Sequence, residues 1–180
     1  MAKNLSKLLS SMVLATSLAL TPVIASAAID YSKIPSAEQV EAKKQARGGK
    51  ALSERVGRSI MNAYDLYEEE NISEAISLLE DVSTSSEYDQ AYVSRFLGNL
   101  YAGAERFDDA IASLKKAVGP DILSFTDQGA ALKLLADLSL QAEQYQQALE
   151  YYGKWLMFTG ERDPEAVSYT HLTLPTIYSV

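Results

Sequence analysis

The sequence has no cysteine and a single histidine, His171, among its 180 residues. Without cysteine the chain can form no disulfide bond, no thiolate nucleophile and no thiolate metal site. His171 lies near the C-terminus in a stretch of different character, so the rest of the chain also has no imidazole for acid–base or metal chemistry. We therefore expect a protein that is not an enzyme and that has no metal site and no cofactor.

Carboxylates are plentiful, but their arrangement does not predict catalysis. The acidic clusters at residues 68–70, 80–81 and 108–109 are formed by sequence neighbours, and neighbouring residues on a helix point apart. Acid–base catalysis requires two carboxyl groups that converge on one pocket. We interpret these clusters as solvated helix ends and turns.

Positive charge is scarce and unevenly distributed. The chain has 16 Lys and Arg against 24 Asp and Glu. Residues 33–58 contain seven basic and three acidic residues, whereas residues 59–166 contain seven basic and twenty acidic ones. Because phosphate binding needs a basic face, the acidic region argues against nucleic acid as a partner.

The N-terminus has the features of a secretory signal peptide over residues 1–27. Lys3 and Lys7 precede an apolar stretch at residues 8–20, and an Ala-Ser-Ala cleavage motif follows at residues 25–27. The apolar stretch is short for a membrane-spanning helix, which needs about 20 residues. We expect cleavage after Ala27, export to the periplasm and no stable membrane insertion afterwards, with an uncleaved anchor as the alternative.

The C-terminus, residues 167–180, differs from everything before it. The string VSYTHLTLPT has no charge and no helical period, and it looks like the translation of an adapter used in sequencing libraries. We expect the natural sequence to be interrupted after Ala166 and exclude the tail from fold reasoning. A genuine extended tail is the alternative.

Residues 28–50 predict a polar, basic linker with one short helix. Ser36 is suited to cap that helix, and Gln39 three residues later completes a weak capping box. Residues 38–47 are polar and helical by propensity, so we expect little anchoring. The linker has the charge to dock on anionic lipid or to fold back on the acidic region, but we favour a solvated linker.

A helical hairpin is the main pattern of the chain, and it is clearest at residues 97–117. Gly98 and Ala110 are small enough to let two helices approach closely, while Tyr101, Phe107 and Leu114 fill the space around that contact. The same pair of small residues, twelve apart, recurs upstream as Ala63 and Ala75. It recurs downstream as Ala136 and Ala148.

These three hairpins resemble the tetratricopeptide-repeat family over roughly residues 55–166. The repeat steps are 35 and 38 residues, and we place the additional residues of the longer step around Gly119-Pro120. Ser94 and Ser139 depart from the aromatic residues that the family often has at those positions. A generic helical bundle is the alternative to the repeat interpretation.

The resemblance implies an all-α, right-handed solenoid with units at residues 51–86, 87–121 and 122–160, and the start of a fourth at 161–166. Six helices follow from the pattern, at residues 52–69, 73–82, 88–104, 107–117, 126–142 and 145–158. A truncated array leaves one end uncovered, so we expect the fragment to self-associate. The aromatic residues of segment 151–158 are interpreted as core rather than as a site.

The resemblance also implies that the first helix of each unit lines a concave binding groove. The exposed groove positions are then Tyr64, Tyr67, Tyr92, Arg95, Asn99, Lys133 and Asp137. Arg95 and Asn99 resemble part of the clamp with which some family members hold a peptide carboxylate. Packing between units is the alternative role for the tyrosines.

The implied function is that of an exported scaffold that holds a protein or peptide in its groove. The signal peptide, the basic leader and segments such as AYVSRFLGNLYA resemble periplasmic tetratricopeptide proteins of TonB systems. That resemblance implies TonB, ExbB and ExbD as partners. Two other classes stay open: an envelope assembly or secretion factor, and a recruiting domain of a larger enzyme.

Overall fold

The structure is a computed structural model that describes residues 31–48 and 50–161. The predicted signal peptide at 1–27, the tail at 167–180 and most of the predicted fourth unit lie outside the described residues. Within those two ranges the chain is helical and contains no strand, which confirms the all-α class.

In the described residues, seven α-helices follow a short 3-10 helix at Tyr31–Lys33. They are α1 (Ala37–Ala46), α2 (Glu54–Glu68), α3 (Ile72–Glu80), α4 (Glu87–Gly103), α5 (Phe107–Val118), α6 (Phe125–Gln141) and α7 (Tyr145–Thr159). Each predicted helix is present, and its ends lie within two residues of the predicted ones.

The helices form three consecutive hairpins, which we call the first pair (α2, α3), the second pair (α4, α5) and the third pair (α6, α7). Each hairpin turns through a connection of the same kind. Glu70, Glu105 and Glu143 adopt left-handed backbone conformations, with φ of 63°, 58° and 57°. The amide of the next residue then donates to the carbonyl five residues earlier, at 2.8 Å in all three turns. This is the hydrogen-bond pattern that commonly ends a helix with glycine in the left-handed position.

The small residues lie where the two helices of a pair meet. Ala63, Ala75, Ala110 and Ala136 have no exposed surface. A Cβ atom on Gly98 would lie 2.6 Å from Leu114 Cγ, so only glycine permits this approach of α4 to α5. The expected close contact is therefore present in the second pair.

Successive pairs stack into one array with a continuous apolar core. Helix α4 contacts α2 and α6, while α3 packs on α4 and α5 packs on α6. Leu79, Leu114, Leu135 and Leu156 are fully buried in that core. The aromatic side chains Tyr152, Trp155 and Phe158 are buried as well.

The additional residues of the longer repeat step lie in a helix, which corrects our placement around Gly119-Pro120. Helix α5 has 12 residues and α3 has 9. The two connections between pairs are equally long, at residues 81–86 and 119–124. Helix α5 continues because Ala117 and Val118 still bury apolar surface before Gly119 and Pro120 end it.

Residues 34–48 and Lys50, which we call the leader, are packed against the array and are not a solvated linker. Helix α1 begins with the predicted capping box: Ser36 N donates to Gln39 Oε1 at 2.8 Å and Gln39 N to Ser36 Oγ at 3.3 Å. Lys43 Nζ donates to the carbonyls of Met157 and Phe158, at 3.3 and 3.0 Å. Burial and the nearby Arg47 cation lower the pKa of Lys43.

The physical reason for this correction is that the leader docks mainly through its charges, since α1 buries no apolar residue. Lys43 meets the last carbonyls of α7, where the helix dipole is negative. Lys43, Lys44 and Arg47 lie over aromatic rings. Pro35 and Val40 close over Gly160, whose φ of 69° ends α7 in the left-handed conformation. A Cβ at Gly160 would lie 2.8 Å from Val40 Cγ2.

None of the helices in residues 31–48 and 50–161 is long and apolar enough to cross a membrane.

Candidate functional site

Helices α2, α4 and α6, which we call the first helices, place five of the seven predicted site residues in equivalent positions. Tyr64, Asn99 and Asp137 each directly follow the buried small residue of their own helix. Arg95 and Lys133 lie three residues before that small residue. Because the three hairpins pack in the same way, residues at the same distance from the small residue occupy corresponding positions in successive hairpins.

Helix α2 carries an exposed patch of Met61, Tyr64 and Tyr67, which we call the α2 patch. Their exposed fractions are 68%, 49% and 47%, the largest among the large hydrophobic side chains of the described residues. Met61 and Tyr64 share one side of the helix with Gly57, at spacings of three and four residues. A Cβ on Gly57 would have no neighbour within 4 Å, so the backbone there is open to a partner.

Tyr64 and Tyr67 are accompanied by carboxylates on the same helix. The Glu68 carboxylate, one turn further along the helix, raises the pKa of Tyr64. Asp65, Glu68 and Glu69 are exposed, and the last turn of α2 has no basic residue. The α2 patch thus combines aromatic surface with negative charge.

Arg95 of α4 is held between helices. Its Nη2 lies 3.1 Å from Asp127 Oδ1 on α6, and its guanidinium lies 4.9 Å from the centre of the Tyr92 ring. Asp127 is fixed in turn by Ser124, whose hydroxyl donates to Asp127 Oδ2 at 2.7 Å. Arg95 therefore connects the second and third pairs, whereas Asn99, one turn further along α4, is exposed.

Lys133 and Asp137 form a second ion pair, along α6, with Nζ 3.2 Å from Asp137 Oδ2. Tyr152 of α7 donates its hydroxyl to Asp137 Oδ1 at 2.5 Å. The Lys133 ammonium lies 5.9 Å from the centre of the Trp155 ring. Asp137 thus accepts hydrogen bonds from both helices of the third pair.

The structure therefore divides the seven predicted site residues into two groups. Tyr92, Arg95, Lys133 and Asp137 take part in contacts within the array, and Tyr64, Tyr67 and Asn99 are exposed. Sequence reasoning missed Met61, whose position three residues before Tyr64 was the available signal. It also missed Asp127, whose spacing from Ser124 marks a helix start.

Two clefts accompany these surfaces. One, of about 340 Å³, lies between the leader and the third pair and is lined by Lys44, Phe125, Gly129, Lys133 and Trp155. The other, of about 410 Å³, lies between the first and second pairs. Ser94 of α4 lines the second cleft.

Comparisons with protein-family models, curated proteins and solved structures give no match to this chain. Its own geometry defines the described part as an array of α-helical hairpins. A basic leader is fastened across the second and third pairs, and the first pair carries an exposed aromatic patch.

Proposed function

We propose that this protein is a non-catalytic scaffold that binds a protein or peptide along its first helices, in a tetratricopeptide-type array. The observation that carries the proposal is the α2 patch. Isolated apolar side chains are normal on protein surfaces, but a contiguous exposed cluster marks an interaction site. Met61, Tyr64 and Tyr67 form such a cluster within a single helix.

The chemistry of the patch suits protein recognition. Tyrosine offers a large, flat contact area with a polar tip and is enriched among the residues that dominate binding energy. Gly57 beside it allows a partner backbone to approach α2 closely. The buried small residues and the matching turns of the three hairpins support a rigid array that holds this surface in place.

The setting that we propose is the periplasm, with TonB, ExbB and ExbD as partners. This part of the proposal rests on the signal peptide predicted at residues 1–27 and on the sequence resemblance described above. It is tested by fusing residues 1–35 to a reporter enzyme that is active only after export. An active fusion supports export, and an inactive one in a cell that exports a control fusion contradicts it.

The binding function is tested by isolating an affinity-tagged chain from envelopes that contain TonB, ExbB and ExbD after brief cross-linking. The expected result is recovery of at least one of these proteins with the wild type and its loss with Tyr64→Ala/Tyr67→Ala. Tyr145→Ala is the matched control, because Tyr145 is an exposed tyrosine on α7, away from the α2 patch.

Equal recovery by the double variant and the wild type contradicts a role for the α2 patch. Recovery of other envelope proteins in place of the TonB components contradicts only the assignment of the partner.

A further inference from the structure

We infer that the α2 patch binds a polypeptide segment rich in lysine or arginine and not one that presents a carboxylate. This inference rests on the proposed scaffold function and specifies the chemistry of the partner. Three observations lead to it: the pairing of the cations on α4 and α6, the charge around the α2 patch, and the way in which the chain binds its own basic leader.

On α4 and α6, the two cations of the predicted groove are already paired with carboxylates. Arg95 is paired with Asp127 at 3.1 Å, and its side chain is only 15% exposed. Lys133 is paired with Asp137 at 3.2 Å. A peptide carboxylate would have to compete with carboxylates that the fold already holds in place, so both ion pairs disfavour an acidic ligand.

The α2 patch has the opposite character. Asp65 and Glu68 flank Tyr64 and Tyr67 on the same helix, and Glu69 and Glu70 follow. The C-terminal end of α2 adds the negative pole of the helix dipole, and its last turn has no basic residue. A partner that covers the tyrosines must therefore meet negative charge, and a cationic segment complements it.

The chain itself shows how it recognises a basic segment. Four leader cations lie over aromatic rings of the array. The ring-centre distances are 4.8 Å for Lys43 and 4.6 Å for Arg47 over Phe158, 5.3 Å for Lys44 over Phe125, and 5.7 Å for Lys50 over Tyr88. Lys43 and Arg47 also bind backbone carbonyls, and Arg47 pairs with Asp121.

The α2 patch offers two of these three kinds of partner for a cation. Tyr64 and Tyr67 supply rings, and Asp65 and Glu68 supply carboxylates. In the arrangement that we infer, lysine or arginine side chains lie over the two tyrosines, while an apolar residue of the partner covers Met61 beside Gly57.

The test is a fluorescence-anisotropy titration of the full chain with labelled peptides. The basic probe alternates lysine and arginine with alanine, and the acidic probe replaces each basic residue with glutamate. We expect saturable binding of the basic probe only. Tyr64→Ala/Tyr67→Ala is expected to raise its Kd about tenfold or more, and added salt is expected to weaken it further.

Two charge-matched variants separate recognition from general attraction by an acidic protein. Asp65→Asn/Glu68→Gln removes two charges beside the tyrosines, and Glu74→Gln/Asp108→Asn removes two exposed charges on α3 and α5. The first variant is expected to raise the Kd several-fold more than the second. Equal effects of the two, or no effect of removing the tyrosines, would overturn the inference.

Tighter binding of the acidic probe would also overturn it. The proposed scaffold function can survive that result, because envelope cross-linking can still recover a partner through the α2 patch. If the basic probe does not bind and envelope cross-linking recovers no partner through the α2 patch, the scaffold function itself is contradicted.

Discussion

Arg47 of the leader forms an ion pair with Asp121 of the α5–α6 connection, with Nη2 and Oδ2 2.6 Å apart. The same guanidinium donates to the carbonyl of Leu123 at 3.1 Å and lies over the Phe158 ring. One side chain thus joins three parts of the molecule that are far apart in sequence. The leader thereby covers aromatic residues at the end of the third pair.

Replacing Arg47 with alanine is expected to loosen the leader without unfolding the array. Asp121 is largely exposed, so the ion pair itself contributes little, and we expect a loss of about 1 kcal/mol in unfolding free energy, mostly from the hydrogen bond and the ring contact. Hydrogen exchange should become faster throughout α1. Arg58→Ala, which removes an exposed ion pair with Glu54, is the control and should leave α1 unchanged. Unchanged exchange in the Arg47 variant would show that the leader docks by other contacts.

Gly98→Ala is expected to destabilise the second pair. The added Cβ would lie 2.6 Å from Leu114 Cγ, and forcing such a contact in a packed core costs about 1–3 kcal/mol. Gly57→Ala is the matched control, because its Cβ enters open space and alanine favours the helix by about 1 kcal/mol. The urea unfolding midpoints of the two variants should therefore shift in opposite directions from the midpoint of the wild type. A stabilised Gly98 variant would contradict the close contact.

Glu105→Gly is expected to stabilise the protein. Glu105 has a φ of 58° at the turn of the second pair, a conformation that costs an ordinary residue about 1 kcal/mol and costs glycine little. Glu74→Gly, within α3, should instead lose about 1 kcal/mol. Thermal unfolding of the two variants measures the difference. A lower stability of Glu105→Gly would show that its side chain makes a contact worth more than the strain.

Tyr101 is expected to make stability fall in alkaline solution. Burial, with a hydrogen bond to Glu80, raises its pKa from 10.0 to about 12. The unfolded chain loses this proton first, so the contribution of Tyr101 is complete below pH 10 and is lost as the pH rises towards 12. Tyr101→Phe should show a shallower decline in unfolding free energy over that range. Tyr145→Phe is the control for an exposed tyrosine, and identical slopes for all three proteins would contradict the assignment.

The helices were predictable because their signals are local. Apolar periodicity, the small residues twelve apart and capping residues such as Ser36 are read within one or two turns of chain. The three left-handed glutamates were not predictable in this way. Glu70, Glu105 and Glu143 adopt a conformation that usually indicates glycine, and each lies in the turn between two helices that pack on each other.

The candidate site was predictable only in part, for a related reason. Exposure of Tyr64 and Tyr67 follows from their position in the hairpin register. The pairing of Arg95 with Asp127 joins residues on separate helices, and docking of the leader joins Lys43 to α7 more than a hundred residues away. Composition made the leader resemble a solvated linker, because its contacts use charge, carbonyls and ring faces and bury no apolar residue of α1.

The central claim is that the α2 patch is a polypeptide-binding surface, and site-specific photo-cross-linking in cells tests it most directly. A photoreactive phenylalanine derivative replaces Tyr64 in one variant and Tyr145 in the other, and both are illuminated in intact cells. The account predicts a discrete cross-linked protein from position 64 and none from position 145. No product from position 64, or the same products from both positions, would contradict it.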